Sequence, residues 1–155
     1  MQMRTAEALY KKPDEIDCTF HFAETNGEIL RRVLIVSFSG TYPPGSEGNR
    51  HAKYITIMAM YGLVAFEPAC LVLDFSDLSY SWGDALLGVF AEVGRYKNEK
   101  GEPPFPVLAV TSEKCRKAFL SLVTLIGAPE PEWHYRSLEQ AVPAAIAAAE
   151  RWLDA

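Results

Sequence analysis

Residues 69–93, ACLVLDFSDLSYSWGDALLGVFAEV, constrain the fold more than any other stretch of the chain. Leu71, Val72 and Leu73 form an uninterrupted apolar triplet, the mark of a strand buried on both faces, although periodicity alone also admits a buried helix. Beyond Asp74 the chain turns polar, and Leu86, Val89, Phe90 and Val93 then recur at i, i+3, i+4 and i+7, one apolar stripe along a helix. A buried strand feeding an amphipathic helix is the repeating unit of an α/β sheet. In open sheets of that kind the ligand or partner crevice lies outside the carboxyl ends of the strands, which places the expected site in the turn at 74–84.

The flanking segments supply the rest of the sheet. Ile16, Cys18, Phe20 and Phe22 alternate with Asp17, Thr19 and His21, the period of a strand with one buried face. Asn26-Gly27 follows, a pair suited to positive φ at both centres of a type I′ turn, and the apolar run Val33, Leu34, Ile35, Val36 continues into an interior strand over 29–38. The first strand therefore lies at or near an edge. Residues 40–48, GTYPPGSEG, read as a loop without the Lys and Ser/Thr of a phosphate loop, and Ser46 is placed to cap the next helix.

That helix is expected over 49–66, with Ile57, Met60, Tyr61 and Val64 as its stripe. Ile55, Met58 and Leu63 lie off the stripe, so the helix calls for cover on a second side, and a homodimer or partner contact through Met58, Leu63 or their neighbours would provide it. A polar connection at 98–104 leads to a short strand at 107–110. Ser112 is placed to cap a helix carrying Cys115, Ala118, Phe119 and Leu122, closed by Gly127 and Pro129. A short edge strand at 133–135 precedes the capping box Ser137-x-x-Gln140 and a last helix lined by Val142, Ala145, Ile146, Ala149 and Leu153; Pro143 implies either a kink or a later start. The order is ββαβαβαβα: an α/β fold with a mixed, mainly parallel sheet and packed helices, one domain over 1–155 with a polar lead-in at 1–14.

Composition narrows the functional classes. With 15 Lys and Arg against 20 Asp and Glu the net charge is −5, and the paired basic residues Lys11-Lys12 and Arg31-Arg32 stand alone, so nucleic acid is a poor partner. Cys18, Cys70 and Cys115 are far apart in apolar surroundings and read as reduced cysteines of a cytoplasmic protein. The apolar stretch 54–73 is cut by Glu67-Pro68, and the first residues carry charge throughout, so neither a membrane span nor a targeting segment is expected. His21, His51 and His134 fall in no metal-ligand spacing; no metal and no cofactor are expected.

Taken together, the hairpin with Asn26-Gly27, Gly40 ending the second strand, LVLDFSDL and the closing YRSLEQAV resemble the STAS domain of anti-sigma-factor antagonists and sulfate-transporter tails, from about Ile16 to the C-terminus. The resemblance implies a non-enzymatic regulatory module that binds a protein, with a kinase-like anti-sigma factor as one partner class. It further implies a switch by phosphorylation of a serine in a D-S-S-G turn after the central strand. Aligned without gaps from Asp74, Trp82 takes the family's aspartate, Gly83 the first serine, Asp84 the phosphorylated serine and Ala85 the glycine. Asp84 thus puts a fixed charge where the family has a switchable one.

Two readings of Asp84 stand side by side, a charge mimic and the end of a Ser81-x-x-Asp84 capping box. Ser79 and Ser81 are acceptors in a gapped alignment, or plain turn residues. Tyr80, Ser81, Trp82, Gly83 and Asp84 form the expected docking turn, with Trp82 either an interface anchor or packed beneath the loop. VLDFSDLSYSWGDAL also resembles the crotonase turn F-x-x-G-x-D, with Tyr80 and Gly83 in matching places, which would imply a backbone oxyanion donor for acyl thioesters. The chain is short for that family and has Thr111-Ser112-Glu113 where a second glycine-rich donor is needed. A small immunity-type binding protein is the third alternative.

Overall fold

The alternation of Ile16, Cys18, Phe20 and Phe22 produces strand β1 (Ile16–Thr25), which pairs antiparallel with β2 (Glu28–Tyr42). This structure is a computed structural model and describes residues 2–98 and 104–155. The connecting turn has positive φ at both centres, 52° at Asn26 and 76° at Gly27, as the Asn-Gly pair requires. Strands β3 (Cys70–Tyr80), β4 (Val107–Val110) and β5 (His134–Tyr135) then add in parallel, and the sheet order is β1-β2-β3-β4-β5. With helices α1 (Asn49–Phe66), α2 (Leu87–Lys97), α3 (Arg116–Val123) and α4 (Leu138–Asp154), the described residues form the expected mixed, mainly parallel α/β architecture.

The strand order advances in one direction throughout, so right-handed crossovers set α1, α2 and α3 on the same face. Alternate strand residues separate the two faces. Leu34, Val36, Phe38, Leu71, Leu73, Phe75 and Ala109 join the core under α1 to α3, whereas Val33, Ile35, Cys70, Val72, Leu108 and Val110 pack against α4. Because the order never reverses, the sheet has no switch-point crevice. A site at its carboxyl end has to be built from loops and helix starts.

Several expectations need correction. The central strand does not end at Asp74; β2 and β3 stay paired up to Tyr42 and Tyr80, which confines the turn to the residues after Tyr80. Gly40 lies inside β2 at φ 108°, opposite Ile16, and the supposed loop reduces to a short 3₁₀ turn, Gly45–Gly48. Neither that turn nor α1 has a side-chain cap, so Ser46 does not serve as one. Ser112 does not cap α3 either. Its hydroxyl donates to the Ser76 carbonyl at 2.5 Å and accepts from Lys114 N–H at 3.2 Å, tying the loop after β4 to β3.

Helix α1 has the expected bounds but a different inner face. Ala52, Ile55, Ala59, Gly62 and Leu63 are buried, while Tyr61 and Val64 are exposed. The large residues are excluded because the helix sits close to the sheet: a Cβ on Gly62 would lie 2.7 Å from Leu34 Cδ2. Leu63 is therefore core and no candidate for an intermolecular contact. In α4 the buried face is Ala141, Ala145, Ala148 and Ala149, Leu153 is exposed, and the helix starts at Leu138 and runs through Pro143, with Ser137 capping Gln140 N–H as expected. Of the connection at 98–104, residues 99–103 lie outside the described residues.

Candidate functional site

The turn after β3 is shaped by two glycines. Gly83 adopts φ 146° and ψ 124°, a conformation open essentially to glycine, and Gly45 has φ 66°. A Cβ on Gly45 would meet Trp82 Cη2 at 2.8 Å, so the indole lies directly over the Gly45 backbone, whose N–H bonds to the Trp82 carbonyl at 3.3 Å. Trp82 is 62% exposed in this position, which decides against packing beneath the loop. Under the turn, Tyr80 donates its hydroxyl to the Gly83 carbonyl at 2.8 Å and meets Tyr42 edge-on, ring centroids 4.9 Å apart. Burial, assisted by the nearby Asp84 charge, pushes both phenols up to about 12. They are neutral struts at physiological pH.

Beside the turn an open groove of about 450 Å³ runs between the start of α2 and one side of α3, lined on the helix side by Leu87, Ala118, Ser121 and Leu122. Tyr80, Ser81, Trp82, Gly83 and Asp84 form its other wall, so the five expected docking residues do come together. Asp84 is exposed and opens a 3₁₀ turn, Asp84–Leu86, that leads into α2. Neither it nor Ser81 makes a side-chain capping hydrogen bond, which removes the capping-box reading. Ser79 points elsewhere. Leu78 and Tyr80 belong to the core under α1 to α3, so the exposed Ser79 between them faces the opposite side of the sheet from the groove.

The crotonase-like reading finds no support in this geometry. The Tyr80 N–H is bonded to the Lys114 carbonyl at 3.3 Å, and the Tyr80 side chain is buried. The cysteines are not activated: burial pushes Cys18 and Cys70 up to about 12 and raises Cys115. Among the described residues no group of three or more His, Cys, Asp or Glu is placed to hold a metal ion, and no helix is long and apolar enough to cross a membrane.

One polar network was not legible in the sequence, because its members come from two separated segments, 111–116 and 130–136. The ionised Glu130 carboxyl can only accept, so His134 carries its proton on Nδ1 and donates it to Glu130, which also pairs with Arg136 at 2.8 Å. The Nε2 of the neutral ring then accepts from the fully buried Thr111 hydroxyl 2.7 Å away, whose oxygen in turn accepts from Arg116 Nε at 3.1 Å. A hydroxyl, an imidazole and a carboxylate in series form the chain used to activate nucleophiles, but Thr111 and the His134 side chain have no exposed surface. Here the chain fastens the two-residue β5 to β4.

The hydrogen bond from His134 holds the Glu130 carboxyl below its usual range, opposed by slight burial and aided by the Arg136 charge. A lowered folded-state value means stability that is present above the ordinary carboxylate range and lost as pH falls through the lowered value. Glu130→Gln is accordingly expected to be less stable than wild type near neutrality, with the two urea midpoints converging below about pH 4.

No family model matches the chain, and no curated protein matches it. Among solved structures it is similar to the anti-sigma factor antagonist SpoIIAA in its unphosphorylated form, with 12% identity, 84% of this chain and 98% of that chain covered, and a TM-score of 0.40. That protein is of the kind the sequence resembles. At such a score the likeness lends no weight to a shared function.

Proposed function

We propose that this chain is a non-enzymatic, STAS-like regulatory module that docks onto a partner protein through the 80–84 turn and the groove beside it. The observation that carries the reading is Trp82, a large aromatic held out into solvent by a glycine backbone at the rim of a groove of mixed polar and apolar lining. Aromatic anchors at the centre of an interface carry a disproportionate share of binding energy. The sequence resemblance supplies the partner class, an ATP-binding, kinase-like anti-sigma factor met in the cytoplasm. Asp84 keeps at the turn part of the charge, about −1.5 to −2, that a phosphoserine would bring, and no phosphatase removes it.

Affinity capture from the native extract with wild type, Trp82→Ala and an exposed control, Lys53→Ala, tests this. A partner held by wild type and the control should bind Trp82→Ala with about 2 kcal/mol less affinity, roughly thirtyfold, while the thermal midpoint stays within about 0.5 kcal/mol equivalent. Asp84→Asn should change the same affinity, and Asp84→Ser should make it kinase-sensitive. Wild-type affinity in all three variants would remove the turn from the interface, and a thioester-containing ligand in place of a protein would favour the crotonase-like alternative.

A further inference from the structure

We infer that the free edge of β1 is a self-association surface, at which a second copy of this chain adds its own β1 antiparallel about a twofold axis at Thr19. The direction of the backbone groups follows from the register. Thr41 N–H bonds to the Glu15 carbonyl at 2.8 Å, one step beyond the pair Ile16 and Gly40. Hydrogen-bonded and non-hydrogen-bonded pairs alternate along an antiparallel ladder, so Asp17, Thr19 and His21 address β2. Ile16, Cys18, Phe20 and Phe22 then turn their N–H and C=O groups out of the sheet. The Lys12 ammonium, donating to the outward Ile16 carbonyl at 2.7 Å, bears this out and leaves that oxygen a second lone pair.

A ten-residue edge strand without an internal proline or lysine is a template for another strand. Its own sequence is the complementary one. With Thr19 on the axis, Cys18 pairs with Phe20 of the second copy and Ile16 with Phe22. On the open face Asp17, which already pairs with Lys12 of its own chain at 3.3 Å, meets His21 of the other copy twice over. On the helical face, Phe20 and Phe22 already cluster with Tyr61 and Phe66 at centroid distances of 5.5 to 5.7 Å. The exposed Tyr61 of each α1, packed on Phe20, flanks the axis on the far side of α1 from the docking groove.

Sedimentation velocity on the full chain over a concentration series should show a reversible dimer. His21→Asp sets two pairs of like charges across the strands and should weaken it about tenfold, and adding Asp17→Lys should restore it. Cys18→Pro, which removes an outward N–H without touching the β2 ladder, should weaken it independently. A monomer at the highest soluble concentration overturns the proposal. So does a dimer insensitive to His21→Asp and Cys18→Pro, or a double charge variant no stronger than His21→Asp alone.

Discussion

Phe75→Ala is expected to lower the unfolding free energy by about 3–5 kcal/mol, read as a fall in the urea midpoint with an unchanged slope. Phe75 follows Asp74, the residue at which apolarity in the sequence gives way to a polar turn. If the strand ended there, the ring would lie in a surface turn and its loss would cost within about 0.5 kcal/mol. In the folded chain it is 1% exposed, stacked on Phe38 at 5.8 Å and tilted against Phe119 at 5.7 Å, midway between β2 and α3. Truncation would open a cavity between elements that the sheet prevents from closing. A loss below about 1 kcal/mol would show that β3 does not continue past Asp74.

Gly40→Ala should be almost as damaging, by about 3 kcal/mol or more, with Ser39→Ala as a near-neutral neighbour. At φ 108° an L side chain is strained, and its Cβ would be driven into the Glu15 carbonyl. That carbonyl accepts the Thr41 N–H, so relief of the clash breaks the bond that starts the β1–β2 ladder. Hydrogen exchange should then show loss of protection concentrated at Thr41 and Asp17, the neighbouring amides that face into the β1–β2 ladder. A variant with wild-type stability and protection would mean that the backbone here is not held in the positive-φ region.

Both effects have one origin, the extension of β2 and β3 beyond their apolar centres. The upper half of this pair has no strand beyond β3, since β4 reaches only as far as Asp74. Local hydrogen bonds replace it: Ser112 hydroxyl to Ser76 carbonyl, and Tyr80 N–H to Lys114 carbonyl. Asp74 itself, a poor strand residue by preference, accepts from Ser37 Oγ at 3.1 Å and from Ser76 N–H and Oγ at 3.0 and 2.7 Å. These partners are far apart in sequence or hidden in a serine-rich run that reads as a turn. A carboxylate therefore looks like a terminus and is instead a satisfied interior group.

What the sequence by itself determined is whatever depends on short-range periodicity and local backbone chemistry. The uninterrupted Leu71, Val72 and Leu73, the alternation from Ile16 to Phe22, Asn26-Gly27 and Ser137-x-x-Gln140 were enough for the order ββαβαβαβα and for the edge position of β1. The five residues Tyr80, Ser81, Trp82, Gly83 and Asp84 were legible as one turn for the same reason, being contiguous. Tertiary structure alone decided which face of α1 is inner, because close approach to the sheet selects small residues such as Ala59 and Gly62 over the larger apolar ones beside them. It also decided that Trp82 rests on Gly45, that α3 supplies the far wall of the groove, and that Thr111, His134 and Glu130 form one network. Each of these is a contact between segments whose separation along the chain carries no periodic signal, so only the packed sheet could bring them together.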